Sequence, residues 1–367
     1  MSNWYSIKNI EKIESPSLIL YPKRIKENIS KLIEIAGSSA FLRPHVKTNK
    51  IPEVCSLMMD AGIDKFKCAT IAEAEMLGLI GAPDILLAYQ PVGPNIERLL
   101  NLVNTFPKSK FSCLIDNIET AYLISDQFKT NEIPLSVFID INVGMNRTGI
   151  IPEKVLGLFE GSQKIKGIKI IGLHIYDGHI EDTDLVERGR RADAFYVKVE
   201  ELIHLISNNY SENLLVVVGG SPTFPIHIKR KGAQCSPGTF VFWDWGYNQL
   251  IPDEPFVYAA LVITRIVSIV DSQTICTDLG YKSVASENPL PRIHFLNAPD
   301  AEPIAHSEEH LVVKLTDTSK WKIGDVLYGV PIHICPTVAL YDWAIIVDEA
   351  NVIDKWKVTA RLKKINI

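Results

Sequence analysis

The chain of 367 residues is 47% hydrophobic and 22% charged, with a formal net charge of -5. That is the composition of a globular protein long enough for two domains, and it leaves no basic surplus for nucleic acid or an anionic membrane. Met1-Ser2-Asn3-Trp4-Tyr5-Ser6 lacks a basic stretch followed by an apolar one, the apolar run 256–270 is short and broken by Arg265, and the cysteines lack paired spacing, which predicts a cytoplasmic protein with free thiols.

Ser17 to Tyr21 predicts a short strand, and Ile25, Ile29, Leu32 and Ile33 recur at helical spacing through Pro22 to Ala36. Alternating units follow. Strands are predicted at 40–47, 65–70, 84–90, 110–116, 135–142, 168–176, 214–220 and 234–242, with helices at 51–61, 71–80, 95–104, 119–128, 152–161 and 183–207. Most of these strands are apolar on both faces, as in a parallel sheet covered by helices. Eight consecutive strands in β-then-α order predict an α/β fold built as a (β/α)8 TIM-type barrel rather than a doubly wound open sheet. After Trp245 the pattern changes to strands separated by turns, at 257–270, 273–278, 310–314, 326–332 and 344–347. The expected division is a barrel over 22–244 and a second, mostly β domain over 245–367.

In Phe41-Leu42-Arg43-Pro44-His45-Val46-Lys47-Thr48-Asn49-Lys50, strand alternation puts Arg43, His45 and Lys47 on one face. Three basic groups facing into a barrel would be costly unless something anionic or electrophilic sits among them. A lysine at the C-terminal end of such a strand, desolvated and flanked by cations, would be the nucleophilic amine that a Schiff base needs. The alternative is a solvated strand end with Lys47 and Lys50 merely exposed.

The run Arg-Pro-His-Val-Lys-Thr-x-Lys resembles the cofactor-lysine motif of the D-threonine aldolase and D-serine dehydratase family, pyridoxal phosphate (PLP) enzymes built on the alanine racemase-type barrel. The resemblance implies that Lys47 carries PLP as a Schiff base and that residues 1–21 join the second domain. Asn49 stands where that family usually has histidine, so no role of that imidazole carries over.

Functional residues of such barrels gather at the C-terminal ends of the strands. Gly144-Met145-Asn146-Arg147-Thr148-Gly149 resembles the Gly-x-x-Arg-x-Gly turn of these barrels, which implies that Arg147 meets the phenolic oxygen of PLP. By itself it reads as an arginine bonding loop carbonyls. Tyr176-Asp177-Gly178-His179 resembles the Tyr-x-Gly-His segment of the aldolase branch, making His179 a candidate base for a substrate hydroxyl and His174 a second candidate. A lone histidine in a loop is otherwise a surface or satisfied core residue. Glycines just after apolar strands expose N–H groups to phosphate. On that ground and by the resemblance, Gly220, Ser221, Gly238 and Thr239 are assigned to the PLP phosphate.

In the second domain His333-Ile334-Cys335 on an extended segment would turn an imidazole and a thiolate the same way, which suits zinc. Spacing alone favours a buried cysteine and an unrelated histidine. The resemblance instead implies a divalent metal, zinc or manganese, with His-x-Cys typical of the dehydratase branch and His-x-Asp of the aldolases. The function implied is a PLP- and metal-dependent lyase acting on a small D-β-hydroxy amino acid. The leading expectation is D-threonine aldolase-like cleavage to glycine and an aldehyde. The alternatives are dehydration to a 2-oxo acid and ammonia, an amino acid racemase using a tyrosine such as Tyr247, Tyr281, Tyr328 or Tyr341, a PLP-binding protein without turnover, and a Schiff-base aldolase without PLP. A homodimer is expected.

Overall fold

The computed structural model describes residues 3–210 and 212–367, so the first two residues of the predicted 1–21 segment lie outside the described residues. The elements to residue 235 are β1 (Ser17–Leu20), α1 (Pro22–Ala36), α2 (Pro52–Asp60), β2 (Lys65–Cys68), α3 (Ile71–Leu79), β3 (Asp84–Leu87), α4 (Pro94–Thr105), β4 (Lys110–Ile115), α5 (Ile118–Phe128), β5 (Leu135–Ile141), α6 (Pro152–Ser162), β6 (Ile168–Ile175), α7 (Leu185–Tyr210), β7 (Leu215–Val218), α8 (Phe224–His227) and β8 (Ala233–Cys235). Strands β2 to β8 form a 7-stranded parallel sheet in sequence order. Side-chain caps mark where strands give way to helices: Thr70 accepts from Glu73 N at 3.1 Å and Asn117 from Thr120 N at 2.8 Å.

The predicted strand 40–47 is not a regular ladder. Ser38 caps a 3-10 turn at Ser39–Phe41, and Pro44 has no N–H to give. The segment still closes the barrel. Arg43 N donates to Cys235 O (2.8 Å) and His45 N to Pro237 O (3.0 Å) on one side, while Val46 N donates to Lys67 O (2.8 Å) and Lys67 N to Pro44 O (2.9 Å) on the other. Likewise β8 stops at Cys235, short of the predicted 234–242, because Pro237 interrupts it before a 3-10 turn at Thr239–Val241.

Inside the barrel Leu86, Leu114, Phe138 and Val217 form an apolar plug. Gly172 makes room for it, since a Cβ there would stand 2.6 Å from the Phe138 ring. Two residues further along the same strand faces come Asp140 and His174.

The second sheet adds β9 (Ala260–Ile269), β10 (Thr274–Thr277), β11 (Ile293–Phe295), β12 (Glu302–His306), β13 (Leu311–Lys314), β14 (Val326–Pro331), β15 (Trp343–Asp348) and β16 (Asn351–Lys357), with short helices α9 (Trp245–Leu250) and α10 (Ile334–Val338). Its order is β12-β13-β10-β9-β1-β15-β16, with β14 pairing β9 and β11. β1 lies antiparallel to β9 and parallel to β15. Ile19, Leu261, Ile263, Val330 and Ile345 pack in its core.

Two compact units result, one holding 32–47, 55–238 and 362–367, the other the residues up to Lys31, 48–54 and 239–361. The first half of α1 goes with the sheet because Asn28 exchanges two hydrogen bonds with the Val257 backbone, at 2.7 and 2.9 Å. The last residues go with the barrel because buried Glu75 accepts from Asn366 N and Ile367 N. No helix among the described residues is long and apolar enough to cross a membrane.

Candidate active site

A cavity of about 410 Å³ lies where the barrel strands end, lined by Ala69 after β2, Tyr89 and Gln90 after β3, Arg147 after β5 and Tyr176 after β6. Lys47 and His45 line it as well, and Lys47 N donates to His45 Nδ1 at 3.2 Å. The Arg147 guanidinium stands 5.0 Å from the centre of the Tyr176 ring. Its loop is held from within: Asn142 Oδ1 accepts from Gly144 N and Asn146 N. Gly149 has φ +98, and a Cβ there would stand 2.7 Å from Asn142 N, so only glycine fits the turn.

Arg43, on the same predicted face as Lys47, does not line the cavity. It is buried and makes two hydrogen bonds to Asp84, at 2.6 and 3.0 Å, plus one to Gln234 at 2.9 Å. The anion expected among the basic groups is, for Arg43, a carboxylate of the barrel itself.

Above the apolar plug runs a buried polar chain. Gln90 Nε2 donates to Asp140 at 2.9 Å, Asp140 Oδ1 is 2.7 Å from His174 Nδ1, and His174 Nε2 is 3.3 Å from Lys67 Nζ. A carboxylate can only accept, so His174 Nδ1 carries the proton and Nε2 accepts from Lys67. Burial would raise the Asp140 carboxyl, but hydrogen bonding and charge from His174 hold it below its ordinary value. Burial, then the charge of Lys67, lowers His174 against the pull of Asp140. Burial brings Lys67 down to about 7, with Asp140 opposing and Lys47 assisting. None of Lys67, Asp140 and Gln90 was singled out from sequence. The signal for Lys67 was present, because in Lys65-Phe66-Lys67-Cys68 alternation puts one lysine at each position of an otherwise apolar strand's second face.

The glycine-rich strand ends meet. Gly238 N lies 3.4 Å from Ser221 Oγ and Gly220 N lies 3.4 Å from Thr223 Oγ1, both long for hydrogen bonds, so both amides keep capacity for a further acceptor. Ser236 Oγ is buried with no partner among the described residues. Gly219 has φ +76, and a Cβ there would stand 2.9 Å from His227. Asp177 braces this turn by accepting from Thr223 Oγ1 (2.9 Å) and His227 Nε2 (2.7 Å), while Arg230 Nε donates to His227 Nδ1 (2.9 Å). Thr239 is placed differently, with its hydroxyl 3.6 Å from Cys335 Sγ.

His179 does not line the Lys47 cavity. It borders a separate one of about 460 Å³ with Asn142, Glu153 and Arg191. Its buried Nδ1 has no partner among the described residues, and its Nε2 would be 2.9 Å from a Cβ at Gly144, in the loop that carries Arg147.

His333 and Cys335 do meet, though not on an extended segment. His333 is the N-cap of α10 and Cys335 lies in its first turn. His333 Nδ1 is 2.5 Å from Glu287 Oε1. Burial would lower His333, but hydrogen bonds to Cys335 and Glu287 raise it to about 9. Cys335 Sγ is 3.1 Å from Thr48 Oγ1. Asp244, pushed up to about 7 by burial and by Cys335, accepts from Ile334 N at 3.1 Å. Among the described residues no three His, Cys, Asp or Glu side chains gather as a metal-holding group.

The family described as "Alanine racemase, N-terminal domain" matches residues 21–244, and "Putative serine dehydratase domain" matches 259–347. The chain is 24% identical to a D-threonine aldolase of Arthrobacter sp, over 96% of this chain and 94% of the relative. It is 22% identical to a D-serine dehydratase of Dictyostelium discoideum, over 95% and 97%. The fold is similar to the crystal structure of D-threonine aldolase from Filomicrobium marinum, with a TM-score of 0.89, 24% identity and 96% of each chain covered.

Proposed function

The chain belongs to the alanine racemase N-terminal domain family, and from that premise we propose that it is a PLP- and metal-dependent lyase of D-β-hydroxy amino acids. The observation that carries this reading is Lys47 in the wall of a strand-end cavity that it shares with Arg147, Tyr176 and His174. The aldolase and dehydratase names of the full-length relatives support the substrate class.

The residues fit PLP. The two under-used amides and the orphaned Ser236 hydroxyl are what a phosphate requires. Gly220, Ser221 and Gly238 are assigned to that phosphate, Arg147 to the phenolic oxygen, and the amine of Lys47 to covalent attachment, while Thr239, expected with them from sequence, has its hydroxyl beside Cys335 instead. When bound, PLP supplies the electron sink that lets a bond at the substrate Cα break. The choice of bond then rests with the protein. Removal of the β-hydroxyl proton directs cleavage between Cα and Cβ and yields glycine and an aldehyde; His179, the base expected from sequence, borders a separate cavity, whereas the second candidate, His174, lines the one that holds Lys47. Lys47 is assigned the Cα proton, whose removal directs loss of hydroxide and yields a 2-oxo acid and ammonia.

His333 and Cys335 fit a divalent metal in donor type. Glu287 on His333 Nδ1 resembles the carboxylates that orient metal-binding imidazoles. Such a metal acts as a Lewis acid on the β-hydroxyl. We place the aldolase reaction first on the names of the D-threonine aldolase relatives, and keep the dehydratase reaction as the second because a cysteine, Cys335, rather than an aspartate stands two residues after His333. Product analysis with D-threonine, PLP and zinc or manganese tests both: glycine with acetaldehyde supports the first, 2-oxobutyrate with ammonia the second, and absence of both overturns the proposal.

A further inference from the structure

Lys67 is a buried amine in the barrel that no contacting carboxylate among the described residues matches. It is 2% exposed, reaches in from β2, and its hydrogen-bond partner is a histidine nitrogen, Nε2 of His174. The charged groups around it are otherwise engaged. Asp140 on β5 holds His174 and Gln90, and Asp177 after β6 holds Thr223 and His227. Arg43 of the closing segment is matched by Asp84, while Lys47 adds a second basic group and Arg147 a third, 5.0 Å from the centre of the Tyr176 ring. The Lys67 Nζ lies 5.6 Å from the centre of that ring. An ammonium buried among cations without an anion in contact is costly. The cavity wall includes Lys67, so an incoming group can reach it.

We propose that Lys67 is a neutral amine until an anionic oxygen enters the cavity, and that it then takes up a proton to become that oxygen's counter-charge. The oxygen belongs to the cofactor or to the substrate carboxylate; only its identity rests on the PLP assignment above. His174 steadies the amine in both states. Its Nε2 accepts one N–H whether or not Lys67 is charged, and Asp140 fixes the tautomer that makes this so. The proton comes from solvent and returns to it on release. The pull of burial on Lys67, to about 7, places the exchange near neutrality. A positive charge is thus present when there is an anion to meet it, and the ligand-free barrel is spared an unmatched buried ion.

Two measurements decide this. In the first, proton binding by cofactor-free wild type and Lys67→Met is compared by potentiometric titration from about pH 6 to pH 9. Wild type should release close to one more proton than the variant, and equal curves would overturn the proposal. In the second, calorimetry at about pH 8 in buffers of different ionisation enthalpy counts protons taken up. One arm titrates PLP into cofactor-free protein, and the other titrates D-alanine, which lacks a β-hydroxyl, into cofactor-saturated protein. Uptake approaching one proton in wild type, absent from Lys67→Met and from the permanently charged, circular-dichroism-checked Lys67→Arg, supports the proposal, and the arm that shows it names the anion. PLP that binds with the same uptake in all three proteins, followed by the same result with D-alanine, overturns it. Failure of PLP to bind at all would sink the cofactor assignment instead, leaving the titration to judge Lys67.

Discussion

Arg43 grips Asp84 through two hydrogen bonds of 2.6 and 3.0 Å, with the arginine side chain 1% and the aspartate 30% exposed. The pair ties the irregular closing segment to β3. Its two halves differ in cost. Asp84→Ala strands a buried guanidinium, which should destabilise the barrel by about 3 to 5 kcal/mol. Arg43→Met leaves a carboxylate that water already reaches, and should cost about 1 to 2 kcal/mol. Urea unfolding midpoints measure both, and the opposite order would show that the pair is not held by the buried arginine.

Purified protein supplied with PLP should develop a visible absorption band that borohydride bleaches, and Lys47→Ala should lose it. Lys67 is the control, since it lines the same cavity. A Lys47→Ala protein that still forms a reducible adduct, with the label mapped to Lys67 by peptide mass spectrometry, would move the attachment point from one lysine to the other.

The barrel was legible where strands are apolar on both faces: Leu135–Ile141 and Leu215–Val218 fall inside predicted runs. It was less legible where a backbone acts as a strand without a ladder. The 42–46 segment closes the barrel through four hydrogen bonds around a proline, and local pattern cannot distinguish that from a regular strand. The edge strand Asn351–Lys357 carries charge and is almost wholly exposed, so no alternation announced it. At the site, residues read from short motifs could be proposed from sequence, whereas the chain Gln90–Asp140–His174–Lys67 joins four strand ends and exists only once the sheet has formed. The His333 and Cys335 pair was expected from a wrong local geometry. The two side chains meet across the first turn of a short helix, a spacing that sequence does not separate from an extended one.

Gly220 lies against Tyr176, with any Cβ 3.1 Å from the ring. Gly220→Val should therefore press on the cavity wall and block the backbone amide, weakening PLP binding by at least about tenfold, or about 1.4 kcal/mol. Gly161→Ala meets Ile118 at an ordinary 3.4 Å and should leave PLP affinity unchanged. Equal affinities by absorbance titration would remove the β7 end from the phosphate assignment.

Chelation separates the lyase reading from racemase and cofactor-carrier readings, since moving only a Cα proton needs no Lewis acid at Cβ. Chelator treatment should abolish turnover of D-threonine or D-serine and leave the PLP absorption intact, with zinc or manganese restoring activity. His333→Ala and Cys335→Ala should each behave like chelated protein. Full turnover by metal-stripped protein would make the His333 and Cys335 contact structural.

Lys67 gives the cofactor-free protein a pH signature of definite sign. Its amine falls from an ordinary 10.5 to about 7 on folding, mainly through burial. Below about pH 7 it is protonated in both the folded and unfolded chain, and folding bears the whole cost of burying the charge. Between about 7 and 10.5 the unfolded chain holds the proton and the folded one does not, so stability rises with pH, by at most about 1.4 kcal/mol per pH unit. Above 10.5 both states are neutral and the linkage ends. Lys67→Met carries no such proton, so its stability advantage over wild type should be greatest near pH 6 to 7 and shrink steadily toward pH 10. Paired urea unfolding curves across that range test this, because subtracting one protein from the other cancels the other titrating groups. A difference that stayed constant across the range would mean that Lys67 keeps its charge in the fold, and would require an anion already in contact with it.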